Sequence, residues 1–373
     1  MASVHANKWF VDYESLDVDQ KKLVNGGVFQ NGQTIGLVSG PAGSGKTIIL
    51  VNALAKANTQ SVAFVSYTRS LLNLADQGLP STVRAMTYYQ AQRNSAQYDL
   101  VVIDEVQDVP LQALNSIISR SAKTILAGDN FQKIFSKGAD AATLSSLVNG
   151  NQHKLSRTYR LTPRAFAAAS KIQPGALEGV DPSGKSVVPI ELYYTDTYDE
   201  GYELCFEMSV AEAAKRRTSA ILLPNKETIT NFANWMLQKA GKPKWQATSN
   251  DFGDPDFGTL NEHLKLHGIK LQVIQNNYGD LNDAFGNNEV VLQTYHSAKG
   301  LDYQVVCLPN VSVEEAGNRN IHRSLFYVSI TRASGALIIT QQKDSVSPFV
   351  KSIEEFCTIM DPKRINTSDD DEF

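Results

Sequence analysis

The sequence predicts an α/β protein with two parallel sheets, each flanked by helices, and three observations lead to this fold class. Apolar segments of strand character alternate with helical segments along most of the 373 residues, as in successive βαβ units. A glycine-rich turn at residues 40–47 joins one strand-like segment to a helical one. The length exceeds what one ordinary core needs and suits two domains.

The predicted strands fall into two groups, with a seam between residues 150 and 163. The first group is 35–38, 61–67, 83–86, 100–103 and 123–127, and the second is 187–194, 219–223, 270–274, 289–294, 304–308 and 336–340. Helices are predicted at 70–76, 200–216, 228–240, 321–331 and 349–359, and another begins near residue 16 with Asp17 or Asp19 close to its cap. Residues 245–259, rich in Asp, Gly, Pro and Asn, are predicted as an exposed loop or insertion.

Composition favours a globular protein without a membrane segment. The apolar fraction is 42% and the charged fraction 20%, and no apolar run reaches the roughly 18 residues of a membrane span. The N-terminus lacks the features of a signal peptide, so we expect a cytoplasmic protein with no membrane partner. Three widely spaced cysteines, Cys205, Cys307 and Cys357, are predicted to be ordinary thiols.

The charge distribution separates the body of the chain from its C-terminal end. The chain has 35 basic and 39 acidic residues, and four of the acidic ones lie within the last five positions. The rest of the chain is therefore neutral, and any nucleic-acid site must be a local groove.

The glycine-rich turn has the G-x-x-x-x-G-K-[ST] pattern that binds polyphosphates. A helix N-terminus and several main-chain N–H groups point at one position in such a turn, and we expect its glycines to adopt positive φ and approach the phosphates closely. Lys46 would reach the β and γ phosphates and the Thr47 hydroxyl would bind Mg²⁺. The nucleotide-binding residues predicted here are Gly40, Gly43, Ser44, Gly45, Lys46 and Thr47.

An acidic pair follows a fully apolar strand and provides a second chemical signal. Asp104 and Glu105 end the predicted strand 100–103, at the strand ends where ligands gather in α/β sheets. Asp104 can hold Mg²⁺, and Glu105 can orient or deprotonate the attacking water. Phosphoryl transfer also needs positive charge at the γ phosphate, for which Arg160 and Arg332 are candidates, although each alone is more typical of a surface or salt-bridging arginine.

The phosphate loop, the acidic pair and several other segments resemble, in their order along the chain, the motifs of the UvrD/Rep/PcrA-like branch of the superfamily 1 helicases. The resembling segments are 16–20, 40–47, 64–69, 87–89, 104–108, 128–132, 159–160, 294–303 and 327–333. The resemblance implies two tandem RecA-like P-loop NTPase domains, at 1–155 and 156–362, followed by a disordered acidic tail at 363–373. It also implies ATP and Mg²⁺ as cofactors, with ATP hydrolysed between the two domains.

The resemblance implies a role for each matching residue. Gln20 would read the adenine and Tyr159 would stack on it, while Gly300 and Asp302 would lie near the nucleotide, with Asp302 at the ribose. Gln132 would sense the γ phosphate, and Arg160 and Arg332 would act as arginine fingers from the second domain. The single-strand track would be lined by Tyr67, Thr68, Arg69, Thr87, Tyr88, Phe135, Thr294 and His296.

Two departures from the family pattern concern the strand track and the length. The segment after Gln132 is one residue shorter than usual and keeps a single aromatic, Phe135. The gaps that hold large accessory domains in the family are short here, so the sequence predicts a motor core alone.

The predicted function is an ATP-dependent single-stranded DNA translocase or DNA helicase, with 3′ to 5′ direction implied by the resemblance. The partners would be single-stranded DNA or single/double-strand junctions. Two alternatives stay open: a nucleotide-gated module that remodels nucleic acid without travelling, and an RNA-directed motor.

Two further features, the acidic tail and a pair of histidines, each have a simple structural interpretation and a functional one. The tail that ends in Phe373 is typical of a solubilising end, but it resembles the acidic tip of bacterial single-strand DNA-binding proteins and so could bind a protein partner. His263 and His267 have zinc-pair spacing, but without further ligands we favour two histidines on one helix face.

Overall fold

The computed structural model describes residues 11–59, 61–69, 71–72, 79–182, 187–251, 253–275, 277–312 and 321–362. The chain divides into two compact units. Unit 1 comprises residues 1–160 and 176–184, and unit 2 comprises residues 161–175 and 185–373. The predicted boundary after residue 155 differs from this division, which keeps 156–160 with unit 1, because Thr158 and Tyr159 bond to the phosphate loop.

Unit 1 is a six-stranded parallel sheet in the order β3-β2-β4-β5-β1-β6. Its strands are β1 (Ile35–Ser39), β2 (Val62–Ser66), β3 (Val83–Thr87), β4 (Tyr98–Ile103), β5 (Ser121–Gly128) and β6 (Gln152–Lys154). Its helices are α1 (Val18–Lys22), α2 (Lys46–Ala55), α3 (Tyr88–Arg93), α4 (Leu111–Ile118) and α5 (Ala141–Leu147). Because β1 is bracketed by β5 and β6, the loop after β1 opens within the sheet rather than at its edge.

Unit 2 is a seven-stranded parallel sheet in the order β13-β7-β12-β11-β8-β10-β9. Its strands are β7 (Ile190–Thr195), β8 (Ser219–Leu223), β9 (Leu271–Val273), β10 (Val290–Thr294), β11 (Tyr303–Leu308), β12 (Ala333–Gln342) and β13 (Cys357–Met360). Its helices are α6 (Pro163–Ile172), α7 (Tyr198–Ala214), α8 (Lys226–Lys239), α9 (Phe257–Leu266), α10 (Leu281–Gly286), α11 (Ile321–Ile330) and α12 (Pro348–Ile353). Two parallel-sheet α/β domains with flanking helices are the fold class that the sequence predicts.

Burial explains why the central strands read as continuous apolar runs. Strands β2, β8 and β10 are buried at every position, because helices cover both faces of a parallel sheet. Side-chain caps fix many helix starts: Asp17 caps α1 as predicted, and Thr87, Thr162 and Asn225 cap α3, α6 and α8.

Two sequence predictions of local structure are wrong. The helix predicted at 349–359 ends at Ile353, and Cys357–Met360 is a strand, because these residues pair in parallel with β7 at the sheet edge. The predicted exposed loop at 245–259 contains the buried Trp245 and the start of α9, because Trp245 packs with Phe257 and Leu260 in the core of unit 2.

The remaining predictions concern the helix at 70–76, the acidic tail, membrane-spanning segments and the pair of histidines. Most of the helix predicted at 70–76, and the whole acidic tail, lie outside the described residues. No helix within the described ranges is long and apolar enough to cross a membrane. The rings of His263 and His267 pack edge to face at 4.5 Å, and the described part of the chain has no group of three metal-ligating side chains.

Candidate functional site

The phosphate loop connects β1 to α2, and two of its glycines are required by backbone conformation. Gly43 has φ +71° and Gly45, the N-cap of α2, has φ +86°. Close approach also matters, because a Cβ at Gly43 would lie 2.3 Å from the Cβ of Arg160, and one at Gly45 would lie 2.5 Å from Gln20 Nε2.

Gly40 differs from this expectation. Its φ is not positive, and the prediction of a left-handed conformation is wrong there. A Cβ at Gly40 would lie 2.8 Å from Ser44 Oγ and 2.9 Å from Leu155 Cβ, so tight packing explains the glycine. The Ser44 hydroxyl is buried and has no hydrogen-bond partner among the described residues, which leaves a polar atom in the loop able to bond a ligand.

Lys46 lies at the start of α2 with its ammonium group in the loop. Its side chain is buried, and Nζ donates to the carbonyls of Gly40 (2.8 Å) and Pro41 (3.0 Å). Burial lowers the pKa of Lys46, while the carboxylates of Asp129 and Glu105 act in the opposite direction. The lysine therefore lies in an acidic, desolvated environment where its charge acts strongly on a bound anion.

The two predicted metal ligands are in contact. Thr47 Oγ1 donates to Asp104 Oδ2 at 2.6 Å, and Asp104 Oδ1 accepts the main-chain N–H of Glu105 at 2.9 Å. Burial, with the neighbouring Glu105 carboxylate, raises the pKa of Asp104 to about 6. A hydroxyl and a carboxylate are hard oxygen ligands of the kind that Mg²⁺ prefers, so these residues fit the metal.

Sequence reasoning missed Gln107, which joins the acidic pair to the loop after β5. Gln107 is buried; its Nε2 donates to Glu105 Oε2 at 2.6 Å, and its Oε1 accepts the main-chain N–H of Asp129 at 3.1 Å. Glu105 has φ +53°, a left-handed conformation that is uncommon for a non-glycine residue. Gln132 Nε2 in turn donates to Asp129 Oδ2 at 2.8 Å. The signal in the sequence was the Gln within 104–108, but one of its two partners, Asp129, lies more than twenty residues away.

A second group of contacts joins the start of the chain to the phosphate loop. The Gln20 amide accepts the main-chain N–H of Asp17 at 3.1 Å and donates to the Ser44 carbonyl at 3.1 Å. Tyr159 donates its main-chain N–H to the Gly43 carbonyl at 2.8 Å, and its hydroxyl bonds the Asp17 carboxylate. Both predicted adenine-site residues therefore contact the phosphate loop directly.

Three of the predicted nucleic-acid residues form an aromatic cluster in unit 1. The ring of Tyr67 stacks on Tyr88, with centroids 5.1 Å apart, and on Phe135, at 4.4 Å. Asp108 Oδ1 accepts the main-chain N–H groups of Ile134 (3.2 Å) and Phe135 (3.3 Å), and thereby fixes the segment that carries Phe135.

The other predicted track residues of unit 1 follow β2 and end β3. Thr68 Oγ1 accepts the main-chain N–H of Leu71 at 3.3 Å, and Arg69 is exposed. Thr87 ends β3 and caps α3 through Gln90. These residues therefore lie beside the aromatic cluster in sequence and at the carboxyl ends of neighbouring strands.

In unit 2, the predicted residues occupy the turn after β10 and the start of β12. Thr294 is buried and its Oγ1 accepts the main-chain N–H of Ser297 at 3.2 Å, while His296 is half-buried. Gly300 has φ +81° and Asp302 is half-buried beside it.

Arg332 is the most deeply buried of the predicted cations. Its side chain is 1% exposed, and the guanidinium donates to the carbonyls of Val328 (2.9 Å) and Leu301 (3.0 Å) and to Thr331 Oγ1 (3.1 Å). Arg160, by contrast, is half-buried against Gly43 in unit 1.

Comparison with known proteins gives the site a family. Residues 36–226, just over half of the chain, match the family model described as the viral superfamily 1 RNA helicase core domain. The chain belongs to this superfamily 1 helicase family. Membership implies an NTP-hydrolysing enzyme that acts on nucleic acid, while the UvrD/Rep/PcrA-like branch stays a prediction.

Individual relatives of this helicase are distant. F-box DNA helicase 1 of Gallus gallus is 21% identical over 295 residues, which are 65% of this chain and 29% of that protein. The chain therefore spans less than a third of the relative's length. Among solved structures, the PRRSV helicase has a TM-score of 0.47 at 14% identity, covering 87% of this chain and 55% of that one. Arterivirus nonstructural protein 10 (helicase) has a TM-score of 0.41 at 14% identity, covering 90% of this chain and 63% of that one.

Proposed function

We propose that this helicase is an ATP-driven motor of the UvrD/Rep/PcrA-like kind that translocates on single-stranded DNA in the 3′ to 5′ direction. The observation that carries the proposal is the buried cluster beneath the phosphate loop. There Lys46, Thr47, Asp104 and Glu105, drawn from two neighbouring loops, are held together by hydrogen bonds and charge. This set supplies the phosphate-binding lysine, the metal ligands and the water-orienting carboxylate that ATP hydrolysis uses, to which an arginine at the γ phosphate would be added.

Nucleotide binding follows from the loop and its lysine. Main-chain N–H groups at the start of α2, the helix dipole and the Lys46 ammonium all favour a polyphosphate at the loop. Thr47 and Asp104 would hold Mg²⁺, which when bound neutralises charge on the β and γ phosphate oxygens. Arg160, packed on Gly43, supplies further positive charge next to the loop.

Glu105 is the residue that we assign to the attacking water. Its carboxylate is fixed by the short hydrogen bond from Gln107 and lies next to Asp104 and near Lys46, where it can orient water or accept its proton. Gln132 bonds Asp129, whose main-chain N–H bonds the same Gln107. This chain of bonds supports the proposal that Gln132 responds to the γ phosphate together with Glu105.

The aromatic cluster supports a strand track in unit 1. Rings can stack on bases of any sequence, which suits a motor that must travel along a strand. Asp108 holds the Phe135 segment and lies three residues after Glu105, so one short segment contacts both the hydrolytic residues and the aromatic cluster. Thr68, Arg69, Thr87, Thr294 and His296 are proposed as further contacts to the strand.

An RNA-directed motor is the second candidate, and a specific observation favours it. The family model that this chain matches is described as an RNA helicase core domain, whereas the relative from Gallus gallus is named a DNA helicase. Stacking on aromatic rings does not distinguish the two sugars, because each base presents the same face in DNA and RNA. We favour DNA because the motifs that resemble those of the UvrD/Rep/PcrA-like DNA helicases occur in both units.

The test is steady-state ATP hydrolysis with single-stranded DNA or RNA of increasing length and identical sequence. For the proposed motor, the rate rises with DNA, increases with strand length before levelling, and is lost in Lys46→Ala. The same behaviour with RNA alone would replace DNA by RNA in the proposal. Slow hydrolysis that neither polymer changes would contradict translocation and favour the nucleotide-gated module. A strand with a streptavidin block at either end then gives the direction.

A further inference from the structure

The contacts of Asp17 form a closed circuit around the adenine side of the proposed nucleotide site. Asp17 Oδ1 accepts the main-chain N–H of Gln20 at 2.7 Å, and Oδ2 accepts the hydroxyl of Tyr159. Gln20 continues the circuit to the Ser44 carbonyl, and the Tyr159 main chain closes it at the Gly43 carbonyl. Three segments that are distant in sequence, at residues 17–20, 43–44 and 159, are thus joined in one circuit that includes the Asp17 carboxylate.

The circuit holds the Tyr159 residue at both ends. Its main chain is fixed by the bond to Gly43 and by Thr158, whose Oγ1 donates to the Ala42 carbonyl at 2.7 Å. Its hydroxyl is fixed by Asp17, while 39% of the residue's surface stays exposed. Burial and the Asp17 carboxylate raise the pKa of Tyr159 to about 12, so the phenol stays a proton donor at neutral pH.

A ring held at both ends loses less conformational freedom when a base stacks on it. Asp17 occupies the N-cap of α1, and that helix also carries Gln20, the residue proposed to read the base edge. One carboxylate therefore sets the position of both groups that would contact the adenine.

We propose that Asp17 is a positioning residue for the nucleotide base, which orients the Tyr159 ring through its second carboxylate oxygen. The inference rests on the proposed nucleotide site and adds a residue that sets affinity for the base rather than for the phosphates. It predicts that the Asp17–Tyr159 bond is important for adenine nucleotides and unimportant for a polyphosphate without a base.

The experiment is equilibrium binding of ADP and of tripolyphosphate by calorimetry to four proteins. They are the wild type, Tyr159→Phe, Asp17→Ser and the double variant. Phe removes only the hydroxyl, and Ser keeps an N-cap acceptor but is too short to reach Tyr159. Asp19→Ser, which removes an exposed carboxylate from the same helical turn, is the matched control.

We expect the ADP dissociation constant to rise about three- to tenfold in each single variant, which is the effect of losing one ordinary hydrogen bond, because the lost bond acts on the base only through the position of the ring. The double variant should be no weaker than the singles, because both remove the same bond. Tripolyphosphate should bind all proteins equally. In steady state the loss should fall on KM rather than kcat, since stacking on the base is the same in ground and transition states.

Three results would overturn the inference: unchanged ADP affinity in both single variants, additive losses, or an equal loss for tripolyphosphate. The last would mean that the bond only supports the phosphate loop. Failure of the proposed motor function is a separate result, because it would appear as hydrolysis that no strand stimulates, whatever the binding data show.

Discussion

In unit 1 the residues that follow the strand ends bond to one another, whereas in unit 2 the described contacts of Arg332 are to its own neighbourhood. Asp104 bonds Thr47, and Gln107 bonds both Glu105 and Asp129. Arg332 donates instead to main-chain carbonyls and to the adjacent threonine. Both sheets are parallel, but Arg332 directly precedes β12 rather than following a strand end, so a parallel sheet alone does not make a reactive site.

The difference shows what a reactive cluster requires. The polar groups of unit 1 are charged, buried and close together, and burial is the main cause that raises the pKa of Asp104 and Asp129 and lowers the pKa of Lys46. The guanidinium of Arg332 instead donates to the carbonyls of Val328 and Leu301 in unit 2. The residues that we propose for hydrolysis therefore lie in unit 1, and a variant of Arg332 tests whether this arginine also takes part.

The largest expected effect is that of Glu105→Gln. Loss of a carboxylate that orients or deprotonates water should lower kcat by about 10²- to 10⁴-fold. ADP binding should change little, because the phosphate loop and the adenine side are untouched. Single-turnover hydrolysis with excess enzyme measures the effect, and a loss below about tenfold would remove Glu105 from the chemical step.

The variant Arg332→Lys tests whether Arg332 of unit 2 stabilises the fold or acts on the nucleotide. Lysine cannot reproduce the fork that serves Leu301 and Val328, so the free energy of unfolding in urea should fall by about 2–4 kcal/mol. Arg323→Lys, at an exposed position on α11, is the control and should stay within about 0.5 kcal/mol. A variant with unchanged stability and abolished hydrolysis would show instead that Arg332 acts on the nucleotide.

Local patterns predicted much of the fold and the first layer of the site. The strands that end at Thr294, Leu223 and Leu308 were predicted to the residue at their carboxyl ends, because buried parallel strands are largely apolar. The contact between Thr47 and Asp104 agrees with the two motifs predicted to share a metal. Signals that depend on residues close in sequence were therefore sufficient for these features.

Features that depend on distant partners were not predictable from the sequence. Gln107 meets Asp129 and Asp17 meets Tyr159 only because parallel strands and the phosphate loop bring their segments together. The strand Cys357–Met360 was mistaken for helix, because its identity comes from pairing with β7 rather than from its own periodicity. The reason for glycine at position 40 was not predictable either, because it is the close contact with Leu155, which is distant in sequence.

Gln107→Leu should show how strongly the bonds within unit 1 support the chemistry. The change keeps the approximate size but removes the bond to Glu105 and leaves the Asp129 N–H without its acceptor. We expect kcat to fall about ten- to hundredfold and stability to fall by about 1–3 kcal/mol. Gln112→Leu, on the exposed face of α4, is the control.

The variant Gly128→Ala tests the same hydrogen bonds of Gln107 by displacing its side-chain amide. A Cβ at Gly128 would lie 2.3 Å from Gln107 Oε1, so Gly128→Ala should displace the amide and reproduce the kinetic defect in weaker form. Wild-type kinetics in both variants would separate Gln107 from the hydrolytic residues and weaken the contrast between the two units.

The smallest effect concerns the aromatic cluster. Phe135→Ala removes a ring that stacks on Tyr67 and that we propose as a platform for bases. Stacking on one base contributes about 1–3 kcal/mol, and part of that ring is already engaged by Tyr67, so we expect single-stranded DNA to bind about five- to tenfold more weakly. Fluorescence anisotropy of a labelled oligonucleotide measures this change.

Phe131→Ala is the matched control, because Phe131 is an exposed ring in the same loop. Since stacking is not an ionic interaction, the loss in Phe135→Ala should persist when salt is raised, while the overall affinity of both proteins falls. If Phe131→Ala weakened binding more than Phe135→Ala, the strand would run over the exposed ring, and the half-buried aromatic cluster would have a structural role in unit 1. The hydrogen bonds that Asp108 accepts from Ile134 and Phe135 would then stabilise the fold without connecting hydrolysis to the strand.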